Sequence, residues 1–358
     1  MGLRITNVSK LIGIFAAVNA KLSKFLKISL SVALAAVLLW YSFRGVDWKD
    51  FFSQIGHCHW GYVLLSMLAG ALAFIIRGFR WRRILEPLDP TTRTLPCING
   101  INISNVANMV IPYAGELVRC GVITRHSRRD HATGRPMASY DRVLGTAILE
   151  RGWDVLSVII LLIILLAFKW QQFGGFMVER IFRPMAEGMR GPVFWIVVAA
   201  LVILLNGLIV VYSLRNRSRF CRRICDVFRH FLQGFSSCFK MKDKGLFFFY
   251  TALIWLMYWL QMVLIKEALP TVSGLGLFDC LFLMLVGSFA TCLPVPGGFG
   301  AYHYIISLAL LVLYGYPQAG VGIVFATLAH ESQALTMLIT GAASYLQETF
   351  TKRDRRTA

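Results

Sequence analysis

The sequence predicts an all-α protein that crosses a membrane several times. Apolar residues make up 57% of the 358 residues, and charged residues only 15%. The mean hydropathy is +0.62. A soluble chain of this composition would have too little polar surface to cover its apolar residues. We predict about six full spans and two re-entrant hairpins that together form an inverted-topology repeat.

Six apolar segments are each long enough to cross roughly 30 Å of hydrocarbon. They lie at 28–43, 60–76, 143–168, 193–212, 246–265 and 317–346. The first follows a basic stretch, as a signal peptide does, but it has no clear small-residue cleavage site, so we expect a retained helix. Two further apolar stretches, 95–123 and 277–314, start and end on the same side and are predicted to be re-entrant hairpins.

Basic residues indicate the orientation, because Lys and Arg accumulate on the cytoplasmic side. They concentrate in the N-terminal segment (Arg4, Lys10, Lys21, Lys24 and Lys27), in 77–93, 119–142 and 215–244, and in the tail 352–356. Both termini are therefore expected in the cytoplasm. The formal net charge of +19 sits at the ends of apolar runs, which is typical of topology signals and lipid contacts rather than nucleic-acid binding. The segment 215–244 is typical of an interfacial amphipathic helix, but simple charge anchoring is the interpretation that we prefer.

The order of span, hairpin and charged span occurs twice, at 60–168 and, inverted, at 246–346. Three further regions are predicted around these repeats. They are an N-terminal cytoplasmic segment with the first helix (1–59), a connecting span with a basic loop (169–245), and a basic cytoplasmic tail (347–358).

The first hairpin is interrupted at Pro112 and Gly115, and two charged residues follow the break. Glu116 and Arg119 are three residues apart and share a helical face. Non-helical backbone inside hydrocarbon leaves unpaired polar groups, so it is tolerated only where protein or a water-filled cavity covers it. The break therefore predicts a binding site at membrane depth.

The third predicted span carries Glu150, Arg151 and Asp154. Glu150 and Asp154 share a face, and Arg151 can reach Asp154. A charge at the bilayer centre costs at least about 2.5 kcal/mol on insertion scales unless it is paired or faces water. Two compatible interpretations follow: an internal salt-bridge network that docks the hairpin, and direct contact with substrate.

The second hairpin is interrupted by a proline- and glycine-rich run containing Pro296, Gly297, Gly298 and Gly300. Glycine permits close backbone approach, and free amides at the start of the helix from Ala301 can hold an anion. We predict a phosphate seat here.

Two histidines and one carboxylate accompany the second break: His303, His330 and Glu331. They are interpreted either as buried hydrogen-bonding residues or as the lining of a cavity. We expect no metal site, because no third and fourth ligand stands at helical spacing. No nucleotide-binding loop is present in the sequence, and we expect no cofactor.

These motifs carry a resemblance to a known family. Its members share a pattern like the run 102–108, Pro112-x-x-Gly115-Glu116-x-x-Arg119, Glu150-Arg151-x-x-Asp154 and Pro294-x-Pro296-Gly297-Gly298-x-Gly300. Over 60–346 the chain resembles the lysylphosphatidylglycerol synthase transmembrane-region family, which includes the flippase part of the bacterial multiple peptide resistance factor and stand-alone inner-membrane proteins.

The resemblance implies a multi-pass protein of the bacterial inner membrane that binds an anionic, aminoacylated or glycosylated lipid headgroup and moves it between leaflets. It also implies a possible lipid-modifying or glycosyltransferase partner, and a homodimer is possible. His303 stands where the family commonly has Glu, and His330 stands near the position of its usual Arg. Because of these two differences, the resemblance does not specify which headgroup is bound. No synthase domain follows the tail, so we expect no enzymatic activity. The alternatives are a protein that presents a lipid-linked substrate to a transferase and an ion-coupled small-solute transporter.

Overall fold

The described part of the protein is helical. The computed structural model describes residues 29–130, 134–235, 240–290 and 293–357. Within these ranges there is no strand, only an isolated bridge between Arg129 and Pro136. This confirms the all-α class. The basic N-terminal residues from Arg4 to Lys27, and the first residue of the predicted span 28–43, lie outside the described residues.

The helices of the described part follow in this order: α1 Ser29–Phe43, α2 Trp48–Gly56, α3 Trp60–Leu85, α4 Thr94–Val110, α5 Ala114–His126, α6 Tyr140–Phe176, α7 Arg183–Arg190, α8 Pro192–Ser213, α9 Arg219–Phe235, α10 Lys244–Ala268, α11 Leu277–Ala290, α12 Ala301–Tyr314 and α13 Ile323–Thr357. Short 3₁₀ turns occupy Pro270–Val272 and Pro296–Gly298. Single π-helical segments, Met177–Phe182 and Gln318–Gly322, precede α7 and α13.

Several helices of the described part are long and apolar enough to cross a membrane. Five continuous runs qualify, and a sixth if α1 and α2, which meet at 88°, count as one span. The five are Trp60–Leu85, Tyr140–Met189, Lys244–Ala268, Pro296–Tyr314 and Gln318–Thr351. The chain is therefore a multi-pass membrane protein. Four predicted spans (60–76, 143–168, 246–265 and 317–346) largely coincide with these runs, and α8 occupies the fifth, 193–212.

The connection 169–190, between the predicted spans 143–168 and 193–212, is helical. α6 has a kink at Lys169 (φ −131°, ψ 32°) and then continues into the π segment and α7. The reason is burial: Phe173 is inaccessible to solvent and stacks on Phe282 of α11, with ring centroids 4.3 Å apart. A loop here would expose this apolar surface. The predicted tail 347–358 is likewise a continuation of α13 as far as Thr357.

The two predicted hairpins correspond to α4 with α5 and to α11 with α12. α4 and α5 have 17 and 13 residues, fewer than the roughly 20 that a span needs. α11 has 14 residues, whereas the run Pro296–Tyr314 has 19 and is long enough to cross. The re-entrant character of both hairpins stays a prediction.

The two halves use the same pattern of neighbours. In each half the first helix packs on the first helix of its own hairpin, α3 on α4 and α10 on α11. The last helix packs both on the second helix of its own hairpin, α6 on α5 and α13 on α12, and on the first helix of the other hairpin, α13 on α4 and α6 on α11. α3 and α10 lie against each other at the centre. This arrangement is what an inverted repeat would give, and the inversion itself stays a prediction.

The breaks of the two hairpins meet. The turn Pro296–Gly298 contacts α4, and a side-chain carbon at Gly297 would lie 3.5 Å from Met109 Cα, one residue before the end of α4. Both breaks use left-handed backbone, with φ of 63° at Tyr113 and 58° at Gly297. Tyr113 is the one described non-glycine residue with positive φ, a conformation that is costly for L-residues and tends to persist at functional sites.

Close backbone approach between α3 and α4 leads to a stability prediction. An alanine Cβ at Gly78 would lie 2.5 Å from Ile98 Cγ1 and 2.8 Å from Ile98 Cα. We expect Gly78→Ala to force the helices apart at a cost of about 1–3 kcal/mol, measured as a lower Tm of the detergent-solubilised protein. Gly61→Ala in the same helix has open space and serves as the control; an equal Tm for both variants would contradict the packing argument.

The open end of the first hairpin is held by Asp89. Its carboxylate accepts hydrogen bonds from the Thr91 hydroxyl at 2.6 Å, the Ser127 hydroxyl at 2.7 Å and the Arg128 amide at 3.0 Å. Burial acts to raise the pKa of Asp89, but the hydrogen bonds from Thr91, Ser127 and Arg128 together outweigh it, so this pKa lies below its ordinary value. The carboxylate thus joins the loop before α4 to the segment after α5.

The lowered pKa of Asp89 predicts a pH-dependent contribution to stability. A carboxyl group whose pKa is lower in the folded state stabilises the fold at any pH above its unfolded-state pKa, about 3.9. This stabilisation is lost as the pH falls through the folded-state pKa. We expect Asp89→Asn to lower Tm at pH 7. The difference in Tm between this variant and the wild type should become smaller below about pH 4. Asp226→Asn, on the exposed surface of α9, is the control. A difference in Tm between the wild type and Asp89→Asn that does not change with pH would show that the Asp89 charge does not stabilise the fold.

Candidate functional site

Seven charged side chains from three helices meet beside the first break. We call them the arginine–carboxylate cluster: Arg77 and Arg80 of α3, Glu116 and Arg119 of α5, and Glu150, Arg151 and Asp154 of α6. The structure thus brings together the five charged residues of the first half that the sequence predicted. It adds two arginines that the sequence analysis placed in the cytoplasmic connection 77–93.

Glu150 is the centre of this cluster, and its side chain is inaccessible to solvent. Its Oε1 accepts a hydrogen bond from Arg80 Nη2 at 2.9 Å, and its Oε2 contacts Arg119 Nη1 closely. Arg77 Nε lies 3.7 Å from Oε1. One buried carboxylate therefore holds arginines from α3 and α5 against α6, and neutralises part of a charge that would otherwise be costly in the membrane.

The other two carboxylates extend the network. Asp154 Oδ1 accepts a hydrogen bond from Arg80 Nη2 at 2.6 Å, and its Oδ2 lies 3.6 Å from Arg151 Nη1. Glu116 contacts Arg119 closely and accepts from Arg151 Nε at 2.8 Å. The pairs Glu116 with Arg119 and Arg151 with Asp154 are those that helical spacing predicts.

Arg119 has several partners inside the protein, and of its three guanidinium nitrogens only Nε lacks a hydrogen-bond partner. Besides its two carboxylates it donates to the Ala147 carbonyl at 3.2 Å, and its guanidinium lies 4.6 Å from the centre of the Trp81 ring. It is inaccessible to solvent. Its contacts therefore match the salt-bridge interpretation, in which it docks the hairpin onto α6, and leave it little capacity for a ligand.

Arg77 differs from its neighbours. Only 5% of the residue is exposed, yet its Nε and Nη2 have no hydrogen-bond partner, and its nearest carboxylate oxygens are 3.7 and 3.9 Å away. Four arginines face three carboxylates in the cluster, which therefore carries one excess positive charge. A signal for Arg77 and Arg80 existed in the sequence, since they are three residues apart on one face directly after an apolar run.

The other residues predicted for the first break shape the turn. Gly115 donates its amide to Asn108 Oδ1 at 2.7 Å, and a Cβ at this position would lie 2.2 Å from the Ser104 carbonyl oxygen. Only glycine fits such an approach. Pro112 lies in the turn between α4 and α5, just before Tyr113.

At the second break, backbone amides that could have bound an anion are already hydrogen-bonded within the protein. The amides of Gly298 and Phe299 already donate to the carbonyls of Val295 and Pro296, at 3.3 and 3.1 Å. Gly300 (φ 79°) is pressed against α1, where a Cβ would lie 2.6 Å from the Leu39 nitrogen. The turn Pro296–Gly298 therefore packs against α4, and Gly300, at the start of α12, packs against α1. A phosphate seat there stays a prediction.

The second-half polar residues form a separate group, the His–Glu cluster of His303, His330 and Glu331. Glu331 Oε1 lies 3.2 Å from His330 Nδ1 and 3.5 Å from His303 Nε2, and the ring centroids of the histidines are 5.0 Å apart. His330 Nε2 is 3.0 Å from the carbonyl oxygen of Gly297. The sequence shows no set of ligands at helical spacing here, because Glu331 adjoins His330 in the chain and only folding brings His303 to both.

A cavity of about 240 Å³ opens at the base of the first hairpin. Its lining residues come from the start of α4 and the end of α5 with the adjoining loops: Thr91, Thr92, Arg93, Pro96, Ile123, His126, Ser127 and Arg128. The basic side chains among them make this opening suitable for an anionic group.

Comparison with known proteins connects this geometry to a family. The family model described as "Lysylphosphatidylglycerol synthase TM region" matches residues 28–341. The chain belongs to this family. The match includes both hairpins, the arginine–carboxylate cluster and the His–Glu cluster. Searches among curated proteins and among solved structures return no match.

The burial of Glu150 in this family member predicts a large stability effect. Glu150→Gln keeps the shape but leaves buried guanidinium groups without their shared counter-charge, so we expect a loss of about 3–5 kcal/mol. Glu86→Gln, which breaks the partly exposed pair of Glu86 with Arg83 at 3.3 Å, should cost less than about 1 kcal/mol. Thermal unfolding in detergent measures both. Similar Tm values for the two variants would show that the cluster is not held by Glu150.

Proposed function

We propose that this protein binds the phosphate-bearing headgroup of a membrane lipid at the arginine–carboxylate cluster and moves it between leaflets. The observation that carries the proposal is Arg77, a buried guanidinium with two nitrogens that lack hydrogen-bond partners, in a cluster with one excess positive charge. Such a group is costly unless an anion joins it. A lipid phosphate supplies that charge together with several acceptor oxygens.

The arginines of the cluster differ in solvent exposure, and we assign them different roles on that basis. The side chain of Arg151 is 39% exposed, whereas those of Arg80 and Arg119 are not exposed at all. In the proposal Arg151 meets the headgroup first, Arg77 holds the phosphate, and Arg80 and Arg119 keep the helices in place. Glu116 and Asp154, whose side chains are 15% and 20% exposed, would contact a cationic or hydroxylated part of the headgroup.

The position of the cluster supports movement as well as binding. Irregular backbone is tolerated at membrane depth where it is covered by protein or lines a cavity, and the two breaks meet at Gly297 and Met109. In the predicted orientation the basic cavity at the base of the first hairpin faces the cytoplasm and would admit headgroups from that leaflet. The acyl chains would remain in lipid.

The wider setting of the proposal follows the family. We propose that the protein acts in the bacterial inner membrane with both termini in the cytoplasm, that it is a carrier rather than an enzyme, and that a lipid-modifying or glycosyltransferase enzyme is its partner. An anionic, aminoacylated or glycosylated lipid is the expected ligand. A homodimer is compatible with this function.

Substitution of Arg77 tests the proposal. We expect Arg77→Gln to weaken retention of phosphatidylglycerol or its lysyl ester at least about tenfold, because a charge-assisted hydrogen bond contributes about 1.5–3 kcal/mol. Native mass spectrometry of the purified protein with defined lipids measures retention. Exchange of the same lipids between leaflets of reconstituted vesicles should fall in parallel.

The matched control is Arg83→Gln, on the same helix but in the partly exposed pair with Glu86, which should leave retention and exchange unchanged. Arg77→Gln should also unfold at nearly the wild-type temperature, since this side chain has few hydrogen bonds to lose. Retention of bulk phospholipid alone, equal in wild type and Arg77→Gln, would overturn headgroup binding. Selective retention without leaflet exchange would overturn translocation and indicate a protein that presents lipid to a partner.

A further inference from the structure

We propose that the His–Glu cluster is a binding site for a transition-metal dication, with Zn²⁺ as the best fit. His303 Nε2, His330 Nδ1 and one carboxylate oxygen of Glu331 are the ligands. The site lies in the second half of the chain, apart from the arginine–carboxylate cluster, and neither its existence nor its test depends on lipid binding.

Two of the three distances between the donor atoms match those of a tetrahedral zinc site. Zinc bonds of about 2.0–2.1 Å to nitrogen and oxygen separate neighbouring ligand atoms by about 3.4 Å in a tetrahedron. Glu331 Oε1 is 3.5 Å from His303 Nε2 and 3.2 Å from His330 Nδ1. The three ligand atoms all lie within 4.8 Å of one another, so the remaining edge needs only a small side-chain adjustment.

The surroundings of His330 match those of a metal ligand. A metal-bound histidine usually donates its second ring N–H to a carbonyl or carboxylate, which fixes the tautomer and the ring orientation. His330 Nε2 lies 3.0 Å from the Gly297 carbonyl oxygen, a distance that suits such a hydrogen bond, and Nδ1 lies 3.2 Å from Glu331 Oε1. The ring is held edge-on against Phe299, with centroids 4.7 Å apart.

Charge balance favours a cation at this position. The side chain of Glu331 is 45% exposed, and within the described residues its ion-pair contacts are with His303 and His330 alone. Both histidines are buried, and neutral imidazoles cannot offset a carboxylate charge inside a membrane. A bound dication can. Protonation of one histidine is the competing explanation, and the experiment separates the two.

The donor set selects the metal. Two imidazoles and one carboxylate suit Zn²⁺ and related first-row dications, whereas Mg²⁺ and Ca²⁺ require oxygen ligands. Three protein ligands leave a fourth position for water or an anionic oxygen, as in zinc sites that bind substrate. The ligands come from α12 and α13, and the carbonyl of Gly297, in the break, supports one of them.

Metal analysis of the full chain tests this site. The purified protein, freed of any affinity tag and of metal, is equilibrated with micromolar zinc chloride. We expect about one zinc per chain in the wild type, and affinity at least about tenfold weaker in His303→Gln and His330→Gln, since changes to outer-shell partners alone cost that much. His59→Gln, an exposed histidine at the start of α3, is the matched control and should bind as the wild type does.

Two readouts distinguish loss of the site from loss of the fold. Zinc should raise Tm in the wild type and in His59→Gln but not in the cluster variants, whose zinc-free Tm reports folding directly. Cobalt in place of zinc should give the intense visible absorption of a tetrahedral site. Equal zinc binding by wild type and both cluster variants, or no zinc uptake by the wild type, would overturn the proposal and leave a protonated His–Glu pair.

Discussion

The buried carboxylate of Glu150 is the interaction on which the first half of the structure depends. It lies on α6 and is shared by Arg80 from α3 and Arg119 from α5. Because a lone charge at this depth is costly, these helices can stay together in hydrocarbon only while the charges face one another. The return limb of the first hairpin, α5, is therefore held in position by electrostatics as well as by the close approach of Gly115 to Ser104.

The arginines of this cluster differ in how many of their nitrogens have hydrogen-bond partners. Arg119 has two carboxylates, a carbonyl and the Trp81 ring as partners and lacks a hydrogen bond at one nitrogen, Nε. Arg77, which is also buried, lacks hydrogen bonds at two nitrogens. A network that satisfied every donor would be a rigid support and nothing more. In the proposed function, one excess positive charge, placed next to a partly exposed arginine, would let this cluster hold a phosphate.

The two halves share their helix order and contacts but differ in their chemistry. The first half has guanidinium and carboxylate groups beside its break, and the second has two imidazoles and one carboxylate. The breaks themselves touch, at Gly297 and Met109. The proposed anion-binding group and the proposed cation-binding group thus belong to different halves of the chain, so the two proposals can be tested separately.

The sequence by itself determined the class, the family and most of the spans, because hydropathy and helical periodicity are local properties. It also determined the pairs Glu116 with Arg119 and Arg151 with Asp154, which are set by helical spacing alone. It did not reveal that 169–190 is helical, since Phe173 is buried only because Phe282 of a distant helix covers it.

Only the tertiary structure decided which charges meet. Arg77 and Arg80 belong to the site because α3 continues to Leu85 and lies against α6, and their basic neighbours made the stretch look like a cytoplasmic loop. The three donor atoms of the His–Glu cluster come from helices separated by a turn, so no spacing rule joins them. Periodicity places side chains on a face of one helix; contact between helices depends on close packing, which the linear pattern does not encode.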